Sequence, residues 1–167
     1  MDRDTGEVTV QFLEEYFEYG KADLGPKMRS QLEKFFPAYA AALFEGGGGS
    51  HIANIDIVGF ASPTFRGRFV DPESLETGDR TAVNFNMDLS YQRAKSIFSF
   101  VFDTSKMQFA NQKDILPLVR VTGRSYLAER RSTVARAPAS KGSQDYCQVF
   151  DCQKSQRVII KFNLKEE

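Results

Sequence analysis

The chain has no tryptophan, one histidine (His51), two cysteines and no excess of either charge, with 22 Lys and Arg against 22 Asp and Glu in 167 residues. Each shortage excludes something. Balanced charge gives no overall field to draw in nucleic acid or anionic lipid, so a charged ligand must be met by local groups. One histidine and a single cysteine pair fall short of a tetrahedral metal shell. The apolar stretches fall well below the roughly 18 to 20 residues that span a bilayer, and the first seven residues lack a signal-peptide core. Any membrane tether is therefore expected in a segment outside this sequence. No serine or cysteine has a recognisable base beside it, and no phosphate-cradling motif occurs, so the chain reads as a non-enzyme without a cofactor.

What is present suits a folded domain. The chain is 41% hydrophobic and 26% charged, with 15 Phe and 6 Tyr, inside the globular range and far from disorder. Its length fits one domain over 1–167. Basic residues are dense from 120 to 141 (Arg120, Arg124, Arg130, Arg131, Arg136, Lys141). Few aromatics interleave with them and no period orders them, so they read as a solvated loop and not as a nucleic-acid patch. Cys147 and Cys152 lie close together in a polar stretch. A disulfide between them would need an oxidising compartment such as the periplasm and would close only a small loop. The sequence leaves that pairing open.

Residues 1–20 form an N-terminal strand region, in which 8–19 alternate loosely, with β-branched and aromatic residues, as one strand or two broken pieces. Pro26 suits a first helical position, and Met28, Leu32, Phe35, Phe36, Tyr39, Ala40 and Leu43 recur at helical spacing. That spacing predicts a helix over 26–44, bent near Pro37. Residues 46–50, four glycines and a serine, read as a flexible connector. Alternation and a closing glycine make 52–59 a strand. Residues 61–85 hold prolines, glycines and mixed charge without a period, and read as a long loop. A helix over 89–102, a strand over 118–122, a second long loop over 125–153 and a strand over 157–164 follow. The order β-α-β-α-β-loop-β implies an α+β two-layer sandwich, a mixed sheet with two helices on one face.

Residues 17–26, 55–62 and 86–94, with Gly123 and 157–160, form an ordered set of motifs that resembles the OmpA C-terminal-like domains of peptidoglycan-associated lipoproteins and flagellar stator anchors. Phe17-Glu18-Tyr19-Gly20, followed by Leu24-Gly25-Pro26, is similar to the family's first-strand exit. Ile55-Asp56-Ile57-Val58-Gly59-Phe60-Ala61-Ser62 resembles its central strand and following loop. Asn86-Met87-Asp88-Leu89-Ser90-Tyr91-Gln92-Arg93-Ala94 resembles its Asn-x-x-Leu-Ser-x-x-Arg-Ala signature. Gly123 and Arg157-Val158-Ile159-Ile160 also fall where the pattern expects them. Asp4-Thr5-Gly6 and Phe36-Pro37-Ala38-Tyr39 lean toward the motor-anchor branch.

Arg93 lies four residues after Leu89 and four before Ile97, so all three share one helical stripe, and the arginine is aimed at the sheet. A packed stem with its head in water or on a core carboxylate would explain that equally. The resemblance implies a ligand instead: in the family the matching arginine grips a diaminopimelate carboxylate of peptidoglycan, a task that suits a planar, permanently charged fork. Asn86, Ser90 and Asp88 are expected near the mouth of this helix, where they could serve ligand or cap. Leu89 is expected to pack and fix the site, with Ala61 and Ser62 in the loop opposite.

One position departs from the family. Where its members carry a loop aspartate for the ligand's ammonium, this chain has Ser62, whose hydroxyl cannot offset a charge. Asp71, Glu73, Glu76 and Asp79 are the candidate substitutes. Two functions remain open: a periplasmic, non-catalytic peptidoglycan-binding module anchoring a membrane or motor protein, or an OmpA-like fold with a degenerate site serving as a protein–protein interaction domain. A homodimer stays open with either.

Overall fold

The computed structural model describes residues 10–12, 17–18, 20–62, 64–66, 68–71, 74–126 and 156–165. Along them run β1 (Val10–Phe12), α1 (Pro26–Phe44), a 3-10 segment (Glu45–His51), β2 (Ile52–Gly59), β3 (Thr64–Phe65), β4 (Arg68–Phe69), α2 (Thr77–Val101), α3 (Gln112–Ile115), a second 3-10 segment (Leu116–Leu118), β5 (Val119–Gly123) and β6 (Val158–Leu164).

Pro26 opens α1 behind an extended Gly25, since its missing N–H would have had no intrahelical acceptor there. Met28, Leu32, Phe36, Tyr39 and Ala40 are buried along one stripe, the geometry their three- and four-residue spacing dictates. Pro37 lies inside the helix, which continues to Phe44.

The main sheet has the order β1-β6-β2-β5. β2 is central, parallel to β5 with Ile55 opposite Val119 and Gly59 opposite Gly123. It is antiparallel to β6, with Ile57 opposite Ile160 and Gly59 opposite Val158. β1 joins by antiparallel pairing to β6. A parallel neighbour requires a crossover connection, and α2 supplies it between β2 and β5. Both helices bury their stripes against one face, where Ile55, Ile57, Val158, Ile160 and Phe162 meet Leu32, Phe36, Ala94 and Ile97. On the other face the Asn163 amide donates to Asn54 Oδ1 (2.6 Å) and Asp56 Oδ2 (2.9 Å), and Asp56 is in register with Arg120 and Lys161. The α+β two-layer sandwich read from the sequence is the observed fold.

Several expected boundaries are corrected. Residues 61–85 are not one loop: they contain the β3–β4 hairpin and the first turns of α2, which starts at Thr77 rather than near 89. Val70, Ala82, Val83 and Phe65 form a small apolar cluster there. The strand expected over 8–19 is described only at Val10–Phe12. Residues 46–50 lie in a 3-10 segment instead of an open connector. Most of the second loop, with Cys147 and Cys152, lies outside the described residues.

Two glycines set the distance between α2 and the sheet. A Cβ on Gly59 would lie 1.8 Å from the Ser90 carbonyl oxygen, and one on Gly123 would lie 2.7 Å from the Tyr91 nitrogen and 2.8 Å from Ser90 Oγ. No side chain fits at either strand end, so Ser90 rests on the backbone and Arg93, one turn on, is brought over the strand exits.

Candidate ligand site around Arg93

Polar groups that are buried must be hydrogen-bonded or they cost stability. Most of the buried polar side chains among the described residues lie at the C-terminal ends of β2 and β5, where the consecutive residues 60–62 set three hydrogen-bonded groups side by side. Ser90 Oγ donates to the Met87 carbonyl (2.7 Å) and accepts from the Ser125 N–H (3.0 Å). The Ser125 carbonyl accepts from the Ala61 N–H (3.2 Å). Ser62 and Thr64 share a hydroxyl hydrogen bond of 2.9 Å, and the Asn86 amide donates to the Thr64 carbonyl (3.2 Å). Ser125 has a left-handed backbone, φ 49°, and its buried hydroxyl has no hydrogen-bond partner among the described residues.

Arg93 is the largest of these side chains and fully buried, with 0% of its surface exposed. Its Nε donates to the Lys21 carbonyl (3.0 Å), one Nη to the Phe60 carbonyl (3.4 Å) and the other to Gln156 Oε1 (2.8 Å). Its guanidinium carbon lies 5.2 Å from the centre of the Phe17 ring, close enough for a cation–π attraction. The fork thus gathers three segments: the approach to α1, the exit of β2 and the approach to β6. Arg157, next to Gln156, stacks over Phe60 at 4.3 Å.

The sequence-predicted residues fall into two groups. Arg93, Asn86, Ser90, Ala61 and Ser62 are brought together, with Leu89 half-buried on the same helix. Asn86 and Ser90 are mid-helix and cap nothing, because α2 begins at Thr77. Arg93 then lies roughly 24 Å along the axis from the helix start, at 1.5 Å per residue, too far for the first-turn N–H groups to share its ligand. Glu76 is exposed at the start of α2, Asp79 is engaged by Arg68 (3.2 Å), Asp71 is exposed and Glu73 lies outside the described residues.

Gln156 was not visible in the sequence, because its partner is 63 residues away and nothing local sets one glutamine in a polar stretch apart. Equally unforeseen is a cleft of about 260 Å³ beside the site, between Asp23, Leu24 and Arg29 before and within α1 and Gln92, Lys95, Ser96 and Ser99 on α2. It does not reach Arg93, which is fully enclosed.

Ser62 bonds to Thr64 and Ser90 to backbone groups, and His51 is exposed at the opposite end of β2. Among the described residues no group of three or more His, Cys, Asp or Glu could hold a metal ion.

Fold and site together define a two-layer α+β domain with one fully buried arginine at the strand exits, among other buried polar side chains. Two solved structures it is similar to are a cell wall anchor of the T6SS from Pseudomonas aeruginosa and the periplasmic domain of Helicobacter pylori MotB. The first aligns at TM-score 0.44 with 13% identity, over 96% of this chain and 89% of that one. The second aligns at TM-score 0.49 with 14% identity, over 99% of this chain and 80% of that one. No family model and no curated protein matches the chain.

Proposed function

We propose that this chain is a non-catalytic, periplasmic, OmpA-like domain that binds peptidoglycan and anchors a membrane or motor protein to the cell wall, with Arg93 gripping a diaminopimelate carboxylate. The observation that supports this is the position of Arg93: a planar fork at the exit of β2, on the Phe60 carbonyl beside Ala61 and Ser62 and on the same helix as Asn86 and Ser90, the residues that the sequence resemblance implies. A guanidinium is the group for bidentate carboxylate recognition. Ser62 leaves the ammonium side of the ligand to a hydrogen bond instead of a charge.

Co-sedimentation with purified sacculi tests the reading. Wild type should pellet, Arg93→Lys should lose at least about tenfold of that binding because an ammonium has no planar fork, and Ser62→Asp should strengthen it. Circular dichroism melts separate lost binding from lost fold. Wild type remaining in the supernatant, or a folded Arg93→Lys variant pelleting normally, would refute it.

A second reading is favoured by the enclosure of Arg93, whose fork already holds Lys21, Phe60 and Gln156. In it the arginine is a strut and the domain contacts a protein partner through its loops. A folded wild type that stays in the supernatant while the sacculi pellet is the result it requires.

A further inference from the structure

We infer that Gln156 is an internal stand-in for the ligand carboxylate, a latch that must turn aside before Arg93 can bind; this rests on the peptidoglycan reading of Arg93. Gln156 Oε1 lies 2.8 Å from an Nη of Arg93, the distance and atom type of a carboxylate oxygen on a guanidinium. It takes one prong of the fork that a bidentate carboxylate would use, and the Phe60 carbonyl at 3.4 Å holds another nitrogen more weakly. Both Gln156 and Arg93 are buried, so no external anion reaches the fork while this bond stands.

The latch sits where it can move. Gln156 precedes β6 and is outside the ladder, which starts at Val158. The Arg157 carbonyl, by contrast, is fixed by the Phe60 N–H at 2.8 Å, so turning the side chain at 156 breaks no bond of the β6 ladder. A neutral amide is also the acceptor that can be displaced. It satisfies the donor without neutralising the charge, whereas a carboxylate in its place would form an ion pair that an incoming ligand could not easily outcompete.

Two substitutions of opposite sense test this. Gln156→Ala removes the competing acceptor and should raise sacculus binding about threefold or more. Gln156→Glu changes one amide to a carboxylate of the same shape and should lower binding at least about tenfold while the melting temperature holds or rises. Its binding should return as pH falls and the introduced carboxyl protonates, a recovery that a merely structural role would not give. Unchanged sacculus binding in both variants, with wild type binding and Arg93→Lys not, would overturn the latch and leave the proposed function standing. A readout free of peptidoglycan covers the other case: modification of Arg93 by phenylglyoxal, located by peptide mass, should be faster in Gln156→Ala and slower in Gln156→Glu than in wild type. Equal rates in all three would overturn the latch whatever the sacculi show.

Discussion

Arg93 carries a permanent charge into a place without exposed surface, and its stem and head together tie α2 to three other segments. Truncation would strand the acceptors it serves, and buried groups left without partners are costly. Arg93→Met should therefore lower unfolding free energy by on the order of 3 kcal/mol in urea titrations. A loss below the error of the titration would show the network to be dispensable. The glycines give a sharper contrast. Gly59→Ala sets a Cβ 1.8 Å from a carbonyl oxygen that cannot move aside, whereas a Cβ on Gly78, in the first turn of α2, meets nothing within 4 Å. Thermal melts should show Gly59→Ala destabilised by about 3 kcal/mol or more through overpacking and Gly78→Ala stabilised by roughly 0.5–1 kcal/mol through helix propensity.

Among the elements, α1 and β2 were legible because their buried positions are apolar and regularly spaced: Met28, Leu32 and Phe36 in the helix, Ile55 and Ile57 in the strand. The first half of α2 was not. Its buried face continues through Ala82, Val83, Asn86, Ser90 and Arg93, at good helical spacing, but three of those five are polar. Before residue 89 that face offers only Ala82 and Val83 as apolar positions ahead of Asn86, too few for a hydrophobic period to register, whereas Leu89, Ala94 and Ile97 mark the second half. The hairpin at Thr64–Phe69 escaped because two-residue strands are too short to alternate. Gln156 and the stand-off at Gly59 depend on contacts across the chain and leave no local trace.

Two predictions belong to these helices. Pro37 lacks the N–H that a helix interior uses, so Pro37→Ala should stabilise the protein by about 1 kcal/mol or more, a rise of roughly 2–4 °C per kcal/mol at this chain length. An unchanged midpoint would mean that the ring contributes packing of equal value. In the turn after α2, the Asp103 carboxyl accepts from the Ser105 hydroxyl (2.6 Å), Lys106 (2.9 Å) and the Ser105 N–H (3.0 Å). Those bonds, the Ser105 hydroxyl first, hold its pKa down from 3.8 to about 2. Because the folded value is the lower one, the contribution is complete above 3.8 and disappears as pH falls through about 2. Wild type should thus outlast Asp103→Asn at neutral pH and match it near pH 2, as read by melts across that range.

At the scale of the whole molecule, β6 stands between β1 and β2, so among the described strands the first in sequence joins the sheet through the last. Nothing in the order of synthesis or of local helix formation can complete that layer early. α1, β2, α2 and β5 can assemble by themselves as a helix-covered parallel pair, but one flank of β2 and all of β1 wait for residues 158–164. Pairings this distant in sequence carry a large loop-closure cost before they return any energy. Refolding should show α-helix recovered ahead of sheet, with protection of β1 and β6 amides appearing together and last in pulsed hydrogen exchange. While β2 stands open it is an apolar edge able to recruit another chain, so the slow arrival of β6 makes the interval before closure the period in which this protein is most prone to aggregate.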